Sequence, residues 1–485
     1  GLPIQTFAQE PTPQISPTTM NEINNFILST QKESKIPGIS LAIINGENDI
    51  QFRNYGYSSK KDNKEVTEHT LFEIGSTSKA FTGLGLLLLV QENKIALSDP
   101  VTKYMPWLKL SYENKEIEVT IEDFLYHKSG IPYRSIADIP VDDQPGAIER
   151  TVRTLIETEL VFTPGSRFSY ATINYDVLGL VIEKVSGITF EDYIRNEVLI
   201  PLGLKETYTN MENAMLTGKI ATGYKMNFLQ AREYNAPYYR GQVPAGYIVS
   251  SSTEISRWLQ IQLGLIDVPE KFRKAIEESL KPDTTVKAGF DGSTYGAGWF
   301  IPGQSDRFIN HGGANPNFSS SFSFNKSKNT GIVVLGNMDS SSIDYIGYGV
   351  REILKNNTPN QFYGDIFSFV DRISVLILAA CSLIFISLII ILIILSRNIY
   401  SKKRVLVKKR GKIIIGLFVI TFLLSLFAFF LINIPSLFFG GLDWRFVSIW
   451  GPESFSIAML GLFLVVLEIV FIIFILLNYK KKKKK

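Results

Sequence analysis

The chain has 485 residues, 45% of them hydrophobic, and a formal net charge of +4. This charge is unevenly distributed, because 16 basic and 4 acidic residues follow position 365, whereas 34 basic and 42 acidic residues precede it. The acidic first part argues against a nucleic acid partner. Cys381 is the only cysteine, which excludes a disulfide within the chain. With only three histidines and no Cys/His cluster, the sequence predicts neither a metal site nor a cofactor.

The N-terminal segment precedes the first predicted element. Residues 1–8 are apolar and a proline-rich stretch follows them. This pattern is typical of the end of a secretory signal or of an N-terminal linker, which we assign to residues 1–19. Residues 20–356 are predicted to form the main domain.

Strand patterns in this domain lie near its two ends, with a mostly helical region between them. Residues 21–31 and 344–356 are predicted helices. The predicted strands are residues 39–44, 50–55, 298–301, 307–311, 319–325 and 331–337. We therefore expect one sheet completed by both ends of the domain, with a helical insertion and an active-site cleft between them.

A serine and a lysine three residues apart, Ser76 and Lys79, precede the apolar run 84–90. On a helix both side chains share one face, and such a pair is one way to activate a serine nucleophile. The same spacing recurs at Ser29, Ser58 and Ser323, but only Ser76 follows a glycine and precedes a long apolar helix. The alternative is a serine that caps a helix with a solvent-facing lysine.

Three apolar runs of about the 20 residues that a transmembrane helix needs occupy positions 375–395, 413–432 and 457–477. Basic residues follow the first and third runs, at 397–412 and 480–485. The positive-inside rule places these segments in the cytoplasm and everything before residue 374 outside it. Residues 357–373 are then a linker. Residues 374–485 form a three-helix domain of a multi-pass cell-membrane protein with a cytoplasmic C-terminus. Within the third run we expect Glu468 to be protonated and bonded to Ser382, Ser387, Thr421 or Ser425.

Two further motifs accompany Ser76-x-x-Lys79. They are Tyr170-Ala171-Thr172, before a helix, and His311-Gly312-Gly313, at the end of a strand. Together, in this order, the three resemble the serine β-lactamase and penicillin-binding-protein superfamily, in particular its class C-like branch. The resemblance implies an α/β domain with an antiparallel sheet flanked by helices, plus a helical subdomain. The segment from Tyr126 to Pro132 also resembles the superfamily's His-x-Ser-Gly-hydrophobic-Pro stretch, which makes His127 structural.

Thr172 replaces the asparagine that the superfamily carries in its second motif, which disfavours ordinary β-lactam recognition. This replacement, the loop 311–320 and the three C-terminal apolar runs resemble membrane-anchored peptidases that activate prodrugs of nonribosomal peptide–polyketide pathways, of the colibactin and zwittermicin type. The resemblance implies removal of an N-acyl-D-asparagine cap from an exported precursor. Gln242 stands where that group is expected to carry a histidine.

The resemblance also implies roles for individual residues. Ser76 is the nucleophile, and Lys79 and Tyr170 share the proton transfers, with the order left open. The N–H groups of Ser76 and Ala314 would stabilise the oxyanion. His311 would orient Tyr170 or a substrate carboxylate.

Gly312 and Gly313 would let the substrate backbone approach the strand. Substrate binding is assigned to Thr172, Asn315, Gln242 and Glu73. The expected partners are a small acyl-D-amino-acid peptide, the lipid bilayer and an exporter of the precursor, whereas the oligomeric state stays open. The alternatives are a D-alanyl-D-alanine carboxypeptidase or esterase of this fold and a non-hydrolytic membrane sensor.

Overall fold

A computed structural model describes residues 14–289, 291–304, 307–406 and 410–482. The chain divides into two compact units. The first comprises Gly1–Lys225 and Ala231–Asp365, and the second Met226–Gln230 and Ile366–Lys485. Most of the expected signal remnant, part of the basic segment 397–412 and the last three lysines lie outside the described residues.

The elements are numbered in chain order. The strands are β1 (Gly38–Asn45), β2 (Ile50–Ser59), β3 (Lys64–Glu65), β4 (Phe72–Glu73), β5 (Leu110–Tyr112), β6 (Lys115–Ile117), β7 (Tyr224–Asn227), β8 (Gln230–Glu233), β9 (Val249–Ser250), β10 (Thr294–Tyr295), β11 (Phe300–Ile301), β12 (Ile309–Asn315), β13 (Phe318–Asn325), β14 (Thr330–Gly336), β15 (Arg404–Leu406) and β16 (Tyr479–Lys481). The helices are α1 (Pro17–Ser34), α2 (Lys79–Gln91), α3 (Ile121–Leu125), α4 (Ala147–Arg153), α5 (Ile173–Ser186), α6 (Phe190–Ile194), α7 (Met211–Leu216), α8 (Val243–Gly246), α9 (Ser252–Leu263), α10 (Glu270–Ser279), α11 (Ser342–Leu354), α12 (Ile366–Tyr400), α13 (Arg410–Phe438), α14 (Trp444–Trp450) and α15 (Glu453–Asn478).

An eight-stranded sheet forms the centre of the first unit. Its strand order is β10-β11-β12-β13-β14-β1-β2-β3, and the described pairings are antiparallel. Strand β1, near the start of the chain, pairs with β14 from Ile39↔Gly336 to Asn45↔Thr330. Both strands are buried throughout, because helices α9 and α11 pack on the sheet. This arrangement confirms the predicted α/β fold and the sheet completed from both ends of the domain.

The predicted strand 307–311 differs from the observed β12, which runs from Ile309 to Asn315. The sequence pattern predicts that the strand ends at His311, because two glycines follow and glycine disfavours an isolated strand. Pairing with β13 from Ile309↔Phe324 to Asn315↔Phe318 overrides that local preference. The largely helical region between the end strands also contains two-stranded sheets, such as β5–β6 and β7–β8, which the sequence did not predict.

In the second unit, helices α12, α13 and α15 contain the three predicted apolar runs. Each is long and apolar enough to cross a membrane, which confirms the predicted helices. The expected hydrogen bond between Glu468 and Ser382, Ser387, Thr421 or Ser425 is not found in the described part of the chain, and the hydroxyls of Ser382 and Ser387 donate to carbonyls of their own helix. The Glu468 Oε2 atom has no hydrogen-bond partner among the described residues.

Candidate active site

Ser76 lies in a 3-10 turn, Gly75–Ser78, that continues directly into helix α2. Its side chain is half-buried, whereas the side chains around it in the turn are buried. Gly75 has a φ of +56°, and a Cβ there would lie 2.5 Å from the backbone nitrogen of Ala314. The turn therefore needs a glycine before Ser76 in order to pack against strand β12.

Lys79 is fully buried, and its Nζ donates to Ser76 Oγ at 3.1 Å and to the carbonyl of Ala245 at 2.7 Å. Burial lowers the pKa of the Lys79 ammonium to about 7, an effect that the charge of Asp176 opposes. The structure thus brings the two residues together as the helical spacing predicted. A substantial fraction of this lysine is neutral at physiological pH and able to accept a proton.

Asp176 is a residue of this site to which sequence reasoning assigned no role. It lies in the first turn of α5, is fully buried, and neither carboxylate oxygen makes a hydrogen bond of ordinary geometry. Burial raises the pKa of the Asp176 carboxyl well above its usual range, whereas Lys79 lowers it. The available signal was helical spacing, which places Asp176 one turn after Thr172 in the second motif.

Tyr170 precedes helix α5, and its buried hydroxyl faces Ser76 without a hydrogen bond of ordinary geometry. Burial raises the pKa of the Tyr170 phenol, against a smaller opposite effect of Ser76. The ring stacks on His127, with centroids 4.3 Å apart. Because His127 Nδ1 accepts from the backbone N–H of Ala171 and lies 2.9 Å from Asn174 Nδ2, this histidine supports the loop, consistent with its expected structural role.

His311 is bonded within the protein through both ring nitrogens. Its Nε2 lies 3.0 Å from the hydroxyl of Tyr295, and its Nδ1 lies 2.6 Å from the carbonyl of Gly312. Burial lowers the pKa of His311 to about 3, so the ring is neutral. No described hydrogen bond joins His311 to Tyr170, although their ring centroids lie 6.1 Å apart, so the orienting role of His311 stays a prediction. The bonded phenol is that of Tyr295, a residue that sequence reasoning missed.

Strand β12 offers a partly open edge beside Ser76. It pairs with β13 along its length but with β11 only at Phe300↔Asn310, and Ala314 is exposed. The glycines of this strand serve the protein's own packing. A Cβ on Gly312 would lie 2.6 Å from the Asp344 carboxylate, and one on Gly313 would lie 2.2 Å from the Ile74 carbonyl.

The residues assigned to substrate binding do not form one cluster, because Asn315 contacts Glu73 whereas Gln242 lies beside Asp176. Asn315 Nδ2 donates to Glu73 Oε2 at 2.6 Å and to the Gly246 carbonyl at 2.9 Å. Burial raises the pKa of the Glu73 carboxyl to about 7, and the Asn315 bond opposes this effect. Glu73 lines a cavity of about 960 Å³. Gln242, in contrast, is buried beside Asp176 and is absent from the wall of this cavity.

Thr172 stands immediately before helix α5, and its side chain is half-buried. Its hydroxyl makes no capping hydrogen bond to that helix. Its position places it in the same loop as Tyr170.

Comparison with known proteins gives relatives over both units. The chain is 26% identical over 478 residues to "Protein flp" of Staphylococcus aureus (strain MRSA252), covering 96% of this chain and 92% of that protein. A shorter match, 32% identical over 235 residues, covers 46% of this chain and 43% of "Unguisins hydrolase ungD'" of Aspergillus campestris.

Solved structures share the fold of the first unit. The octameric penicillin-binding protein homologue from Pyrococcus abyssi matches with a TM-score of 0.63 and 28% identity, over 73% of this chain and 81% of that one. The β-lactamase/D-alanine carboxypeptidase from Pseudomonas syringae matches with a TM-score of 0.60 and 21% identity, over 70% of this chain and 100% of that one. The beta-lactamase family model matches residues 23–351. The chain therefore belongs to the beta-lactamase family of serine hydrolases.

Proposed function

We propose that this chain is a membrane-anchored serine peptidase that acts outside the cytoplasm. It removes an N-acyl-D-amino-acid cap, above all N-acyl-D-asparagine, from an exported peptide precursor. The observation that carries the proposal is the 3.1 Å contact between Ser76 Oγ and Lys79 Nζ in a buried site that lowers the lysine pKa to about 7.

The geometry favours Lys79 as the first base. Neutral Lys79 takes the proton of Ser76 while Oγ attacks the scissile amide carbonyl and forms a tetrahedral intermediate. The developing oxyanion is held by the backbone N–H groups of Ser76 and Ala314, two segments that Gly75 keeps in close contact. Tyr170 remains protonated at neutral pH because burial raises its pKa.

Tyr170 then donates its proton to the leaving amine, and the protonated Lys79 returns a proton to the phenol. The C–N bond breaks and the N-acyl-amino acid remains on Ser76 as an ester. Water attacks this ester in the second half of the reaction, with Lys79 again accepting the proton. The bond between the acyl carbon and Ser76 Oγ then breaks, Lys79 returns the proton to Oγ, and the N-acyl-amino acid is released while the Ser76 hydroxyl is regenerated.

A primary amide side chain in the cap suits the groups beside Ser76. Asn315 uses its Nδ2 for Glu73 and Gly246, so its Oδ1 is available as an acceptor. Glu73 supplies a second acceptor at the cavity. The two N–H donors of a carboxamide match this pair. The name of the Aspergillus relative, unguisins hydrolase, agrees with a hydrolase activity.

The carboxypeptidase alternative is less well supported. A D-alanyl-D-alanine substrate carries a C-terminal carboxylate, which calls for a cation or several free donors. His311 is neutral and bonded to Tyr295 and Gly312, and Glu73 is acidic. Neither residue favours binding of the C-terminal carboxylate of such a substrate.

The length and apolar composition of helices α12, α13 and α15 support membrane anchoring. The basic segments 397–412 and 480–485 support the proposed side of the membrane. The lipid bilayer is then a permanent partner of the chain. An exporter would supply the precursor on the side where the peptidase acts.

The test is incubation of the full chain, in detergent, with an N-acyl-D-asparagine amide, its L-asparagine counterpart and an acyl-D-alanyl-D-alanine peptide, followed by mass spectrometry. We expect release of the N-acyl-D-asparagine acid alone, and no release by Ser76→Ala. Cleavage of only the D-alanine peptide would refute the proposed substrate. Equal cleavage by Ser76→Ala would refute the mechanism.

A further inference from the structure

The cavity beside Glu73 is strongly acidic. Its volume is about 960 Å³, and its wall contains four carboxylates and one guanidinium, those of Glu73, Asp143, Glu212, Glu233 and Arg240. The Arg240 guanidinium is already paired, because it donates to the two carboxylate oxygens of Glu191 at 2.7 and 3.0 Å. The cavity therefore presents negative charge that its own wall does not neutralise.

A buried side chain in the wall points to what would neutralise it. Asn317 is 7% exposed and lines the cavity. Its Nδ2 donates to the Tyr234 carbonyl at 3.0 Å, which fixes the orientation of the amide. Its Oδ1 is left with no hydrogen-bond partner among the described residues. A buried acceptor without a donor is costly, so a ligand that donates a hydrogen bond here would be stabilised.

Glu73 adds a second acceptor that is more than nine-tenths buried. It is 9% exposed, and its Oε2 accepts from Asn315. Asp143, Glu212 and Glu233 are exposed, so they lie where a soluble ligand can reach them. The cavity thus combines buried acceptors with accessible carboxylates.

We infer that this cavity binds a primary ammonium group of the substrate, which donates to Asn317 Oδ1 and is attracted by Asp143, Glu212 and Glu233. As an assignment of substrate chemistry, the inference rests on the proposed function. An ammonium group carries three donors, a positive charge and no acceptor, so it needs acceptors from the protein and no donor. A hydroxyl would satisfy Asn317 but not the carboxylates, and an anion would be repelled.

Binding of two probes of equal length to the full chain in detergent tests the inference. The probes are 1,5-diaminopentane and 1,5-pentanediol, and the measurement is saturation-transfer NMR at moderate salt. We expect the diamine to bind and the diol to show no saturable binding. In the triple variant Asp143→Asn/Glu212→Gln/Glu233→Gln, we expect the Kd of the diamine to rise by about tenfold, since each exposed charge pair contributes a modest factor.

A second triple variant controls for the overall charge of the protein. Glu65→Gln/Glu113→Gln/Glu157→Gln removes the same charge from exposed positions outside the cavity wall, and we expect it to keep the Kd of the wild type. An equal loss in both triple variants, or a diol that binds as tightly as the diamine, would overturn the inference. Thermal unfolding shows whether each variant folds. This experiment measures binding and involves no amide cleavage. Its outcome is therefore independent of whether the proposed peptidase activity is found.

Discussion

The contact between Gly75 and strand β12 gives the sharpest prediction, for the variant Gly75→Ala. The new Cβ would lie 2.5 Å from Ala314 N, whereas ordinary contacts begin at 3.4 Å, so the strand or the turn must move by about 1 Å. The φ of +56° at this position adds roughly 1–2 kcal/mol of strain for any L-residue. Displacement of reacting groups by about 1 Å is expected to slow catalysis by about 100-fold.

Gly264→Ala is the matched control, because Gly264 has a φ of +77° but no atom within 4 Å of the added Cβ. Both variants should lose about 1 kcal/mol or more of unfolding free energy. Only Gly75→Ala should slow labelling of Ser76 by a fluorophosphonate, followed by intact-protein mass spectrometry. Equal labelling rates for the two variants would show that close contact between Gly75 and Ala314 does not set the geometry of the nucleophile.

Three further predictions concern Lys79 and His311. The rate of Ser76 labelling should rise as the pH increases through about 7, because the pKa of Lys79 lies there and only the neutral amine accepts a proton. The variant Lys79→Arg should lose this rise and react at least about 100-fold more slowly. A flat wild-type profile from pH 5.5 to 8.5 would contradict the role of Lys79 as the base. Burial lowers the Lys79 pKa in the folded state, so between about pH 7 and the usual lysine pKa the unfolded chain binds more protons than the folded chain. The free energy of unfolding should therefore increase with pH across this range. Thermal unfolding of wild type and Lys79→Met should therefore differ most below pH 7, and a constant difference across this range would exclude the explanation. Tyr295→Phe removes the partner of His311 Nε2 and should cost about 1–3 kcal/mol in urea unfolding. An unchanged free energy of unfolding would contradict this prediction.

The sequence predicted the elements whose signal is local. Ser76 and Lys79 share a helical face by spacing alone, and alternating strands at both ends of the domain indicated a sheet closed by β1 and β14. The resemblance of the three motifs, in their order, to the superfamily then indicated Tyr170 and the strand that carries His311. The helical pair and the strands come from spacing and periodicity, which persist in the folded protein, whereas Tyr170 and His311 come from the family resemblance.

What the sequence did not predict depends on burial by distant segments. Asp176 affects the pKa of Lys79 because both side chains are buried together away from water. Tyr295 reaches His311 only through the pairing of β10, β11 and β12. Gln242 was assigned to the substrate by motif position, yet tertiary packing places it beside Asp176. Desolvation and long-range packing have no signature in a single segment.

The pairing of β1 with β14 also constrains the order in which the first unit can fold. Ile44 pairs with Gly331, so the centre of the sheet cannot form until the chain has been synthesised to about residue 336. Until then the apolar strand β1 lacks its native partner on that side, and contacts this distant in sequence form slowly. Helix α12 begins at Ile366, soon after β14 ends at Gly336. Completion of the sheet and emergence of the first apolar helix are therefore close together in time during synthesis, and the unfinished domain depends on protection from aggregation up to that point.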